Sequence, residues 1–316
     1  MARDLATTRT LGTTVAVLAA LGAALATQGC GSDDSRASRG QPQPAVAAPA
    51  PLAESNRFNG ARAFALLREQ VQEYGWRPAG SPSLRRLAVR LRSLLPRGRF
   101  EAIPGHPRLR NVVGSVPGRP PAIVVAAHYD VEAAPEGFVG ANDGAAGTAA
   151  VVTLARAFAR AERPRTAREL RFVLFDGEEE PAGCTPFEAC GLRGSRAYAE
   201  RHDGETAKLV LLDYIAEKRG LSFPREQGSD RRLWERLRAA ARAVGVGALF
   251  PDLTTGEIID DHTPFMRRGI PAIDVIDFDY PQRDSLADDL DAVSRRSLDA
   301  VGEAVYELVA RLRTRA

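Results

Sequence analysis

Apolar positions along this chain recur with two different periods, and the alternation between them lays out a fold. In NRFNGARAFALLREQVQEYG (56–75) and SPSLRRLAVRLRSLL (81–95), apolar residues return every three or four positions, which gathers them on one face of a helix. The same spacing runs through 144–160, starts again at 194, fills 230–245 and closes the chain over 294–313. Between these segments lie short apolar runs bounded by Gly, Pro or charge: RNVVGSV (110–116), PAIVVAA (121–127), LRFVLF (170–175), KLVLLDY (208–214) and PAIDVID (271–277). They lack strict alternation, so both of their faces must be covered. Strands of that kind, separated by longer helices, predict an α/β fold: a three-layer sandwich with a mostly parallel central sheet flanked by helices. In such sheets ligands bind beyond the carboxyl ends of the strands, which directs attention to the residues just past each run.

The amino-terminal part reads differently. Arg3 and Arg9 precede a short apolar stretch over 11–26, and then comes TQGC, so residues 1–30 have the build of an export signal. Cys30 after Gly29 resembles a bacterial lipoprotein processing site, although Thr27 stands where Leu is usual. The expectation is an exported chain, anchored to a membrane by lipid on Cys30 and facing the periplasm or the cell exterior. Residues 31–55 are rich in Pro, Ala and Ser without apolar periodicity and read as a flexible tether. Residues 56–316 remain for one domain. The formal net charge is only +3 and no basic stripe is visible, which argues against nucleic acid as a partner. Of the three cysteines, Cys184 and Cys190 stand six apart, and an oxidising compartment favours a disulfide between them.

Each predicted strand runs into residues able to hold a metal. PAIVVAA leads to His128, Tyr129 and Asp130, and LRFVLF to Asp176, Gly177, Glu178, Glu179 and Glu180. KLVLL ends on Asp213, and PAIDVID leads to Asp277, Asp279 and Asp284. Asp143 opens a long helix in GANDGAAG. Carboxylates converging on one sheet edge repel each other unless a cation joins them, and one His with Asp and Glu is the donor set of a catalytic zinc. On this reading Glu179 binds metal and Glu178 is free to move protons. His106 and His202 have no supporting motif and read as surface residues.

HYD, GANDGAAGTA, FDGEEE, GSRAYAE, LLDYIAE and DDHTPFMRRGIPAIDVIDFDYP, in that order, resemble the co-catalytic zinc aminopeptidases of clan MH and their relatives, the glutaminyl cyclases. The resemblance spans roughly residues 60–314. It implies that His128, Asp143 and Glu179 hold one zinc, that Asp143 bridges to a second ion, and that Asp213 binds that second ion. It further implies that Glu178 is the general base, that Asp130 orients His128, and that Asp260 belongs to a hydrogen-bond network near the base. The family's last ligand is a His following a Trp; here Asp284 follows Arg283 instead. A second site of Asp143, Asp213 and Asp284 would be all carboxylate and would suit Mn²⁺ or Mg²⁺ better than zinc. The cyclases hold a single zinc through residues matching Asp143, Glu179 and the missing His. The expected function is therefore a zinc-dependent aminopeptidase acting on peptides, with one or two ions. Glutaminyl-peptide cyclotransferase and an impaired binding lipoprotein on the same scaffold are the alternatives. The oligomeric state is not legible.

Overall fold

The computed structural model describes residues 47–314, and Cys30, the expected signal and most of the expected tether lie outside them. In chain order the elements are α1 (Gly60–Glu69), α2 (Pro82–Leu94), β1 (Arg99–Ala102), β2 (Arg110–Val116), β3 (Arg119–His128), α3 (Ala145–Arg160) and β4 (Arg168–Phe175). Then come α4 (Phe187–Cys190), α5 (Arg193–Arg201), β5 (Thr206–Asp213), β6 (Arg225–Glu226), α6 (Arg231–Ala243), β7 (Thr254–Thr255), α7 (Thr263–Met266), β8 (Ala272–Ile276) and α8 (Arg295–Thr314). Helix starts carry local signals. Asn59 caps α1, Ser81 caps α2 with Pro82 in its first turn, and Asp230 caps α6, each side chain accepting a free backbone N–H.

Six strands form the central sheet in the order β1-β2-β4-β3-β5-β8, and β6 pairs with β7 separately. The block β4-β3-β5-β8 is parallel throughout, while β1 and β2 join antiparallel at one edge. Along β3 the side chains of Ile123, Val125 and Ala127 enter one core layer with α1, α2, α3, α6 and α8, while Val124 and Ala126 enter the other with α5 and α7. Both faces are buried, which is why these strands read as unbroken apolar runs. The result is the three-layer architecture with a mostly parallel sheet.

The register levels the strand ends. His128 lies opposite Phe175, and Asp213 opposite Ile276, so the chain leaves β3, β4, β5 and β8 along one edge. The helix expected over 56–75 is shorter, with α1 passing into a π-turn at Gln70–Tyr74. β1, β6, β7, α4 and α7 carry no periodic signal because each is at most four residues long. Residues 47–55, tether-like in composition, lie against the domain. Ala50 is buried, the Glu54 N–H donates to the Val244 carbonyl, and the Ser55 hydroxyl donates to Glu303. Among the described residues no helix is long and apolar enough to cross a membrane.

Candidate metal centre

Four backbone segments bring the expected donors to one point. β3 delivers His128 and β5 delivers Asp213; these strands are hydrogen-bonded neighbours, so their last residues end side by side. β4 adjoins β3 on its other side and leads to Glu178 and Glu179. Asp143 arrives from the turn before α3, where Gly144 has φ +76°, and a Cβ there would sit 2.7 Å from the Asp130 carbonyl oxygen. Only glycine fits that turn. Within α3, a Cβ on Gly147 would sit 2.3 Å from the Leu212 carbonyl oxygen and 2.9 Å from Ala127 Cβ. The helix therefore rests directly on β3 and β5, one residue before His128 and Asp213.

His128 Nε2 lies 3.1 Å from Asp143 Oδ1 and 3.3 Å from Asp213 Oδ1. Its Nδ1 lies 3.8 Å from Glu178 Oε2 and has no hydrogen-bond partner. His128, Asp143 and Asp213 place one donor atom each within 4.8 Å of one another, as do His128, Glu178 and Glu179, and all five residues are buried. Burial, then the charge of Glu179, holds the Glu178 carboxyl well above the usual range; burial, then Asp143, does the same to Glu179. Burial pushes Asp213 up to about 7 against the pull of His128. Burial would lower His128, but its bonds to Asp143 and Asp213 outweigh that and raise it well above the ordinary value. Buried carboxylates crowded around one imidazole are the situation a divalent cation relieves, and one nitrogen with two or more carboxylate oxygens is a zinc donor set.

The grouping implied by resemblance is redrawn. Sheet order makes His128, Asp143 and Asp213 a set, while Glu179 joins His128 only in a second set with Glu178. Asp130 does not hydrogen-bond His128, since Nδ1 is 3.9 Å away; its carboxylate instead accepts the backbone N–H groups of Glu178 and Glu179. Asp284 belongs to neither set. Its side chain is 51% exposed at the mouth, where it accepts from the Tyr214 hydroxyl at 3.2 Å and pairs with Arg283. Asp260 lines the same cleft and accepts the Asp261 N–H. Asp277 turns away to accept the Ser222 N–H, and Asp279 is exposed. Cys184 and Cys190 are joined in a disulfide that closes the loop carrying Phe187 to the cleft. His202 is not a surface residue: its ring is buried and lies 3.0 Å from Glu101.

Three contributors were given no role by the sequence. The Tyr214 hydroxyl lies 2.9 Å from Asp143 Oδ2 and so links Asp143 to Asp284. Asp288, wholly buried, accepts the N–H groups of Asn142 and Asp143 and the Tyr280 hydroxyl, which fixes the turn bearing Asp143. Arg77, also wholly buried, donates to the carbonyls of Tyr129 and Gly140 and sets a cation beneath the carboxylates. Each acts from a loop whose course depends on tertiary packing. The cleft above the donors has a volume of about 220 Å³, and a larger groove of about 810 Å³ between α1, α3 and α8 is remote from them.

Known proteins resemble this chain in sequence and fold to different degrees. Aminopeptidase YwaD of Bacillus subtilis is 28% identical over 209 residues, covering 60% of this chain and 42% of that protein. The glutaminyl-peptide cyclotransferase of Bos taurus is 27% identical over 243 residues, covering 65% of this chain and 66% of that protein. The chain thus spans less than two thirds of either relative. A crystal structure of an Acidobacteriales bacterium glutaminyl cyclase superposes with a TM-score of 0.71 at 27% identity, covering 87% of this chain and all of that one. A Zn-dependent exopeptidase from Parabacteroides distasonis shares the fold, with a TM-score of 0.69 at 23% identity over 80% of this chain and 98% of that one. The family model for peptidase family M28 matches residues 111–309, from β2 into α8, and takes in every donor described above. The chain belongs to peptidase family M28.

Proposed function

We propose that the chain is a zinc-dependent aminopeptidase that removes residues from the amino terminus of peptides. The observation that carries this reading is the intact His128–Asp143–Asp213 set with the buried Glu178 carboxylate 3.8 Å from the other imidazole nitrogen. A zinc held by those three residues would supply Lewis acidity and bring the pKa of water towards neutrality. Glu178, held high by burial, takes a proton from the attacking water and returns it to the departing amine as the peptide C–N bond breaks. Glu132, Glu179 and Asp284 line the cleft with carboxyl oxygens that suit the N–H donors of a free α-ammonium group. Phe187, Ile258 and Phe278 offer apolar contact for the side chain beside it.

Glutaminyl cyclisation is the second reading, favoured by the match to the whole of the Acidobacteriales cyclase chain. Against it, Asp284 stands in place of the His that the cyclases use, and it is drawn to Arg283 and Tyr214. Purified protein assayed on aminoacyl and on N-terminal glutaminyl peptides separates the two. Release of free amino acid, abolished by chelation and restored by zinc, is the expected result. Ring closure of glutamine without release would overturn it. We further infer export and membrane anchoring through lipid on Cys30, supported by Arg3, Arg9 and the TQGC segment. A Cys30→Ser variant that stays in the membrane fraction would sink that inference.

A further inference from the structure

The segment DDHTPF contributes a second cluster, set into the sheet and adjoining the first through Asp260. His262 directly precedes α7, and Asp274 lies in the middle of β8, on the same face as Ala272 and hence on the face that α7 covers. Donor atoms of Asp260, His262 and Asp274 lie within 4.8 Å of one another. Asp274 and Glu226 are 0% exposed, His262 is 1% and Asp260 is 4%, so water satisfies none of these groups freely.

The imidazole of His262 is oriented from both sides. Its Nε2 lies 3.4 Å from Glu226 Oε1, while Nδ1 faces Asp274 Oδ2 at 3.8 Å. Nδ1, both carboxylate oxygens of Asp274 and Asp260 Oδ2 are buried without a hydrogen-bond partner, and a proton shared between Asp260 and Asp274 would pair the carboxyls while leaving Nδ1 unpaired. Unpaired buried groups of this kind are costly, and a proton on Nδ1 would not close a 3.8 Å gap. A cation would satisfy all of them together. Donors bound to a tetrahedral zinc at about 2.0–2.2 Å are roughly 3.3–3.6 Å apart, so a cluster within 4.8 Å closes by at most about 1.5 Å to hold one. A carboxylate behind a metal-binding imidazole is the usual device for fixing its tautomer, and Glu226 has that place.

We propose that Asp260, Asp274 and Nδ1 of His262 bind a second divalent transition-metal ion of the zinc class, with Glu226 positioning the imidazole. Two carboxylates balance the charge of one such ion, and the single nitrogen favours a zinc-class ion over Mg²⁺ or Ca²⁺. An ion held there would fix Asp260, which is also among the residues lining the cleft.

The test is crystallographic and resolved by site. Wild-type protein is stripped with a chelator, reloaded with zinc alone, and its anomalous difference map is recorded at the zinc edge. A peak bounded by Asp260, His262 and Asp274 is expected, in addition to density beside His128. Density beside His128 alone would overturn this proposal and leave the catalytic reading intact. A peak in the second cluster alone would do the reverse. Zinc titrations of Glu226→Gln and Asp274→Asn provide a measurement independent of crystals. Glu226→Gln should weaken one binding event by about 10–100-fold while the other keeps its affinity. Equal zinc isotherms for wild type and both variants would count decisively against the site.

Discussion

Glu178 and Glu179 are chain neighbours, yet substitution should separate their tasks. Glu178→Gln preserves shape and leaves His128, Asp143 and Asp213 in place, so zinc content should match wild type while kcat falls about 100- to 10,000-fold. Retained turnover in a zinc-loaded Glu178→Gln protein would remove Glu178 from the mechanism. The redrawn donor set makes a second contrast. Asp213→Ala takes away a carboxylate 3.3 Å from His128 Nε2 and should weaken zinc by more than the roughly 10–100-fold typical of losing an outer partner. Asp284→Ala removes a half-exposed group that reaches Asp143 only through Tyr214, and should stay within that outer-partner range. Competition against a zinc chelator would rank the two variants; the reverse order would put Asp284 among the direct ligands. Sequence spacing named His128, Asp143, Glu178, Glu179 and Asp213 because each falls where a strand or helix begins or ends. It did not tell which of their donor atoms come within reach of one another, since that depends on the order of strands across the sheet.

Strands and helices shape the site through the loops they lead into. The segment after β8 sends Asp277 inward, where burial and then the hydrogen-bonded carboxyl of Glu217 push it up to about 8. An unfolded Asp ionises near pH 4, so between about pH 4 and 8 the folded chain keeps a proton that the unfolded chain has released. The resulting stability is fully present below about pH 4, declines as the pH rises, and is gone above about 8. Asp277→Asn, neutral at every pH, should therefore raise Tm relative to wild type at about pH 8–9 and change it little near pH 5. Parallel melts with equal differences at both pH values would contradict the carboxyl pair. Such pairs leave no mark on the pattern of strand ends, in which Asp277 and Asp279 look alike as possible ligands. One is clamped by the Ser222 N–H and the other is exposed. The long elements were legible because burial on both faces of a strand, or on one stripe of a helix, imposes a period. The loops bearing Arg77 and Asp288 carry no period, and Tyr214 stood at the end of an apolar run without a role.

Across the whole molecule, the parallel sheet gathers at one edge more negative charge than the fold favours without a counter-ion. Glu178, Glu179 and Asp213 are all held above their ordinary range by burial together with one another's charge or that of Asp143 and Asp260. Zinc bound only by the folded chain should raise stability by mass action, by about 4 kcal/mol at a free concentration roughly a thousand times Kd. Thermal melts with and without excess chelator at about pH 7.5 should show a lower Tm for the stripped protein. A chelator-independent Tm would mean that no metal is coupled to folding. The layered architecture was legible, because strands of this kind alternating with long helices admit few arrangements, whereas the order of strands across the sheet was not.

The contact of Gly147 with the Leu212 carbonyl gives the helix a further property, that of a gauge block. The helix carries Asp143 just ahead of its first turn, and the two strands it rests on carry the candidate donors His128 and Asp213 one residue beyond the contact. The gap between ligands is thus set by the thickness of a residue that has no side chain. A single methyl at Gly147 would lift the helix and open the coordination sphere from below. Gly147→Ala should consequently register as a larger zinc Kd at a temperature where the domain is still folded by circular dichroism. Selectivity among ions of different radius would then be adjustable from inside the core, at a position no substrate or solvent reaches.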